Sequence, residues 1–136
     1  MINVIIGEKG TGKTAKLIEA VHAAEKAATG SVVFINKGKR HVLDLSHNVR
    51  LVDTEEYSIT SYETFYGFVC GILSQNYDIA HIFIDSITKI VDEDVAAFEE
   101  FLDKIAVVAD KNNAEIQIIL SMNPADASEG IKKYVK

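Results

Sequence analysis

The sequence has 136 residues, a formal net charge of −6 and 48% apolar residues. That length suits one domain around one core, and the negative charge argues against a general nucleic-acid coat, which needs a positive field. No apolar run reaches the roughly 20 residues of a membrane helix, "MINVIIGEKG" lacks the basic n-region of a signal peptide, and Cys70 is the single cysteine, so a cytoplasmic protein is expected.

In chain order, "INVII" (2–6) is a short continuous apolar run of the kind found in strands buried on both faces. A Gly-rich loop follows. Residues 13–28 read as a helix, with Leu17, Val21, Ala24 and Ala28 at helical spacing and Gly30 as its stop. "SVVFI" (31–35) is a second buried-type strand. "NKGKRH" is a polar loop, and "HVLDL" and "VRLVD" each read as a short strand. Residues 60–76 form the next helix. Thr60 and Glu63 have capping-box spacing, and Phe65, Val69, Ile72 and Leu73 make its apolar face. "IAHIFID" (79–85) is a strand that ends in an acid. Residues 92–113 form the clearest helix, with acids crowding its first turn and a stripe of Val95, Phe98, Leu102, Ile105 and Ala109. "EIQIILS" (115–121) is the last strand, and a short helix follows at 127–135. Strands alternating with helices predict an α/β fold, a mainly parallel sheet covered on both faces in three layers. Residues 1–136 show no repeat, linker or low-complexity stretch and read as a single nucleotide-binding domain.

The loop "GEKGTGKT" (7–14) carries the chemistry. Gly7, Gly12, Lys13 and Thr14 fit G-x-x-x-x-G-K-[ST]. Glycines permit positive φ, so that successive N–H groups of Lys9, Gly10, Thr11 and Gly12 can turn inward as an anion nest. The following helix adds its partial positive charge. Lys13 supplies a full charge to the β- and γ-phosphates, and the Thr14 hydroxyl is placed for Mg²⁺. A strand before the loop and a helix after it is the context that this motif requires.

On these residues the chain resembles a P-loop NTPase over nearly its whole length. The additional Gly10, giving G-x-x-G-x-G-K-T, resembles the motor-type branch that includes RecA-like and KaiC-like proteins. The resemblance implies ATP and Mg²⁺ as ligands and a strand order of 1-4-3-2 for the four clear strands. It also implies that Asp85 holds the magnesium shell and that Ser121 or Asn123 senses the γ-phosphate. Asp85 also reads as a helix N-cap, and Asn123-Pro124 is ordinary turn chemistry. With that order the loop-bearing strand lies at a sheet edge, which a subunit, partner or local segment is expected to cover.

The sequence departs from the resemblance where the water would be activated. Many motor-type members have Glu directly after the acid corresponding to Asp85; here that residue is Ser86, a poor base. RecA-like members place a Glu at the end of the second strand; here that residue is Asn36. Glu55, Glu56, Asp92 and Glu93 are spare acids, and Arg40, Arg50 and Lys9 are the candidate transition-state cations. The expectation is therefore ATP binding with slow hydrolysis that needs a protein partner or a homo-oligomer. A non-hydrolysing ATP-dependent switch and a small-molecule phosphotransferase are the alternatives. GTPase signatures are missing: "NKGK" lacks the acid, and "DSIT" has Thr88 where a D-x-x-G switch needs glycine. "KGKRH" (37–41) could touch nucleic-acid phosphates or acidic lipid but also reads as a solvated loop. Tyr57, Tyr62, Phe65, Tyr66 and Phe68 could stack a base, mark a protein interface or fill the core. The four histidines lack metal-ligand spacing.

Overall fold

A computed structural model describes residues 1–27, 30–39 and 44–136. Its strands are β1 (Ile2–Gly7), β2 (Ser31–Asn36), β3 (Arg50–Asp53), β4 (Ile79–Ile84) and β5 (Glu115–Ser121). Its helices are α1 (Lys13–Ala27), α2 (Tyr62–Gln75), α3 (Ile87–Ile90), α4 (Val95–Lys111) and α5 (Glu129–Lys132), with short 3-10 turns at Thr54–Tyr57 and Pro124–Asp126. Every strand pair is parallel, and the sheet order is β1-β5-β4-β2-β3. The expected order of four strands reappears as β1-β5-β4-β2, and β3 extends the sheet beyond β2.

Side chains along a strand alternate between faces, and the core divides accordingly. Val33 and Ile35 of β2 join a cluster with Phe65, Val69 and Leu73 of α2 and with Phe98, Leu102 and Ile105 of α4. Val32 and Phe34 join the opposite cluster, under Leu17, Val21 and Ala24 of α1. The sheet is thus the middle of three layers, as its apolar runs require.

Several boundaries differ from expectation. The α2 cap is Ser61, one residue after Thr60. Ser61 Oγ accepts from the Thr64 N–H at 3.1 Å, and Thr64 Oγ1 accepts from the Ser61 N–H at 3.2 Å. Threonine at the third helical position closes the same reciprocal box as Glu. Ile72 is only half-buried, because it turns towards a groove at the sheet margin. Helix α4 begins at Val95, so the acids precede it, and Asp94 caps it by accepting from Ala97 N–H at 2.8 Å. Val95 is 45% exposed, and Phe101 takes its place in the buried stripe. Residues 41–43 of the expected strand "HVLDL", and Ala28, lie outside the described residues. The one-turn helix α3 was not expected.

A local segment covers the outer edge of β1. The Val4 N–H donates to the Tyr134 carbonyl at 2.8 Å, and Val4 bridges to Val135 in parallel. Tyr134 is tethered in turn, its hydroxyl donating to Asp103 Oδ1 at 2.7 Å. Among the described residues no helix is long and apolar enough to cross a membrane.

Candidate functional site

The loop between β1 and α1 owes its shape to two kinds of glycine. Gly10 and Gly12 sit at φ +85° and +80°, and a Cβ at either would meet nothing within 4 Å. There the requirement is dihedral. At Gly7 the requirement is space, since a Cβ would come within 2.9 Å of Thr11 Oγ1. Inside the loop, the Thr11 hydroxyl and the Lys13 ammonium both donate to the Glu8 carbonyl, each at 2.7 Å. Lys13 is 8% exposed, so its stem is packed and its head is held. An ammonium has three donors, so that one bond leaves two for a ligand.

Asp85 follows the last residue of β4 and is 1% exposed. Its backbone N–H donates to Ile35 O at 3.0 Å, which locks it to β2. Its Oδ1 accepts from the Thr14 hydroxyl at 3.3 Å and from the Ser86 hydroxyl at 3.1 Å. Only β5 separates β1 from β4, so the loop and the first turn of α1 reach across about 10 Å, two strand spacings, to meet Asp85. The expected alternative role of Asp85, a helix N-cap, is not what is seen. Ser86 occupies that position before α3, at φ 54°, ψ 56°. A non-glycine residue in that left-handed region is uncommon, and such strain concentrates at functional sites.

Above the loop lies a cavity of about 440 Å³. The loop and the first turn of α1 contribute Lys9, Gly10, Gly12, Lys13 and Thr14 to its lining, the segment after β4 contributes Ser86, Thr88 and Lys89, and β5 contributes Ser121. Its charged lining residues, Lys9, Lys13 and Lys89, are all cationic, in a chain whose net charge is −6. A larger groove of about 700 Å³ lies at the other end of the sheet, among the first residues of β2, β3 and β4 and the flank of α2. Among the described residues it contains a single charged side chain, Arg50, and so has little to offer a polyphosphate.

The predicted residues separate into two groups. Lys9, Gly10, Gly12, Lys13, Thr14 and Ser121 share the small cavity, Gly7 and Thr11 shape its loop, and Asp85 lies behind Thr14. Asn123 does not join them, because its Oδ1 accepts from Ala125 N–H at 3.0 Å within a 3-10 turn. Asn36 is fully buried, with Oδ1 accepting from the Lys37 N–H. The Glu93 carboxylate accepts from the Tyr62 N–H at 2.6 Å. Glu55 and Glu56 stand in the turn after β3, two strands from β4, and Asp92 is exposed ahead of α4. None of these four acids lines the cavity. Arg50 lies in the far groove, and Arg40 is outside the described residues.

Lys89 and Thr88 were missed. A signal existed in "SITKI": Ile87 and Ile90 are buried at i, i+3 spacing, which leaves the two residues between them on the outer side of α3. Among the aromatics, Tyr62 and Phe65 pack against Phe101, with ring centroids 5.1 and 5.4 Å away. Burial, reinforced by Glu93 and then Asp92, pushes the Tyr62 hydroxyl up to about 12. Among the described residues no cluster of three or more His, Cys, Asp or Glu is arranged around a metal. A divalent ion here would depend on Thr14, Asp85 and oxygens brought by a ligand.

No protein-family model matches the sequence, and no curated protein does either. Among solved structures, the chain is similar to the flagellar accessory protein FlaH from Methanocaldococcus jannaschii, with a TM-score of 0.55 and 15% identity. The likeness covers 97% of this chain and 65% of FlaH. At that identity it shows the α/β fold with its parallel sheet, and nothing finer.

Proposed function

We propose that this protein binds ATP with Mg²⁺ in the cavity above the 7–14 loop and hydrolyses it slowly, a partner or second copy completing the site. One observation carries the reading: three lysines line a cavity together with Thr14, whose hydroxyl donates to the buried Asp85 behind it. A triphosphate needs concentrated positive charge and inward N–H groups, and Mg²⁺ needs hard oxygen donors. Thr14 and Asp85 carry such oxygens, and Ser121, which lines the same cavity, is read as a contact to the terminal phosphate. The fold likeness to FlaH, described as an accessory protein, supports work alongside protein partners without naming them.

A second reading, an ATP-dependent switch without hydrolysis, is favoured by Ser86. Its hydroxyl donates to Asp85, and no Glu lines the cavity. The two are separated by measuring phosphate release beside nucleotide binding, using Lys13→Ala as the control. Binding that weakens at least tenfold in Lys13→Ala supports the site, the change expected on losing a charge-assisted contact. Release that disappears with it makes the protein an enzyme. No binding by the wild type at millimolar ATP–Mg²⁺ would overturn both readings.

A further inference from the structure

Resting on the nucleotide reading, we propose that Lys89 meets the terminal phosphate from within the same chain and makes the site prefer a triphosphate to a diphosphate. Four observations converge on it. Lys89 lines the same cavity as Lys13 and Thr14, but comes from α3, after β4, and not from the loop. It stands four residues after Asp85, on the segment that leads directly from the Thr14–Asp85 pair that would hold a magnesium ion with the β- and γ-phosphates. Its backbone is fixed: Ile87 and Ile90 anchor α3 in the core, and the Lys89 N–H donates to Ser86 O at 2.9 Å. Its ammonium forms no ion pair with any described residue, so its charge is available.

The alternatives for that charge are poorly placed. Arg50 is at the far end of the sheet. Lys9 belongs to the loop itself, which already carries Lys13. Lysine is a compact charge on a flexible stem, suited to a terminal phosphate whose position changes on hydrolysis. A diphosphate lacks the terminal phosphate and so loses this contact.

The test measures ATP–Mg²⁺ and ADP–Mg²⁺ affinities for the wild type, Lys89→Ala, Lys89→Gln and Lys89→Arg, with exposed Lys26→Ala as a charge control and thermal melts as a folding check. The Ala and Gln variants should weaken ATP about tenfold while ADP changes less than twofold. Lys89→Arg should recover most of the ATP affinity, and Lys26→Ala should change neither. Equal weakening of both nucleotides, or no change in either variant, overturns the role of Lys89 while leaving the nucleotide site standing. A wild type that binds neither nucleotide overturns the site and this proposal together.

Discussion

Gly10 and Gly30 both lie at positive φ, for different reasons. Around Gly10 there is open space, and only the dihedral, +85°, resists a side chain. Gly30 sits at φ +149°, and a Cβ there would collide with the Asp78 carbonyl oxygen, backbone that cannot swing aside. Gly10→Ala should therefore cost about 1–2 kcal/mol, the usual penalty of the left-handed region. Gly30→Ala should cost more, at least about 3 kcal/mol, since a clash is added to the strain. Urea unfolding of the two variants would check the order, and equal costs would refute this account. At this scale the sequence was informative wherever chemistry is local. The loop fixes its own shape over eight consecutive residues, so Gly7, Lys13 and Thr14 could be named from spacing alone. Asp85 needed the resemblance as well, as the acid that follows the apolar run of a later strand. Lys89 needed more: α3 had to be recognised, and then placed at the same cavity as a loop some 75 residues earlier in the chain.

The elements were readable where apolar residues repeat in register with the helix or strand. They were less so where polar residues choose between a cap and a turn. Thr60 and Ser61 are adjacent and chemically equivalent, and only the closed box selects Ser61. Ser61→Ala should destabilise the protein by about 1 kcal/mol, whereas Thr60→Ala should stay within about 0.5 kcal/mol. The stripe of α4 gives a second contrast. Phe101 is 2% exposed and lies against Tyr62 and Phe65, so Phe101→Ala should cost about 3–5 kcal/mol. Val95, expected in that stripe but exposed at the first helical position, should tolerate alanine within about 0.5 kcal/mol. Chemical denaturation of both variants decides the matter.

For the molecule as a whole, the strap over β1 couples the two ends of the described structure. The Tyr134 hydroxyl is pushed up to about 12 by burial first and by its bond to Asp103 next. Its folded value lies above the ordinary 10.0, so its contribution is complete below pH 10.0 and is lost as pH rises through about 12. Asp103 is shifted the other way. The Tyr134 bond, then Lys133, holds its carboxyl below 3.8, so its contribution is present above that pH and fades as pH falls through the lowered value. Tyr134→Phe should remove one phenol from the tyrosinate absorbance transition near pH 12. It should also speed hydrogen exchange at the Val4 amide about tenfold at neutral pH, because the Tyr134 carbonyl that receives that amide loses its tether. Unchanged exchange would mean that the strap holds without the Asp103 bond.

The pairing of β1 with β5 also bears on how the chain assembles. Ile2 lies beside Ile116 and Gly7 beside Ser121, so among the described strands the one carrying the loop has no sheet neighbour until β5 has been made. Contacts of such long sequence separation form slowly, because a large closure entropy precedes them. During synthesis, β1 and its apolar run wait while β2, β3 and β4, which pair only among themselves and with β5, can already come together. The 7–14 loop, though it precedes every other strand of the sheet in the sequence, is thus among the last segments to be held in shape, and under the proposed function the appearance of nucleotide binding in a refolding experiment would mark the closing of the sheet.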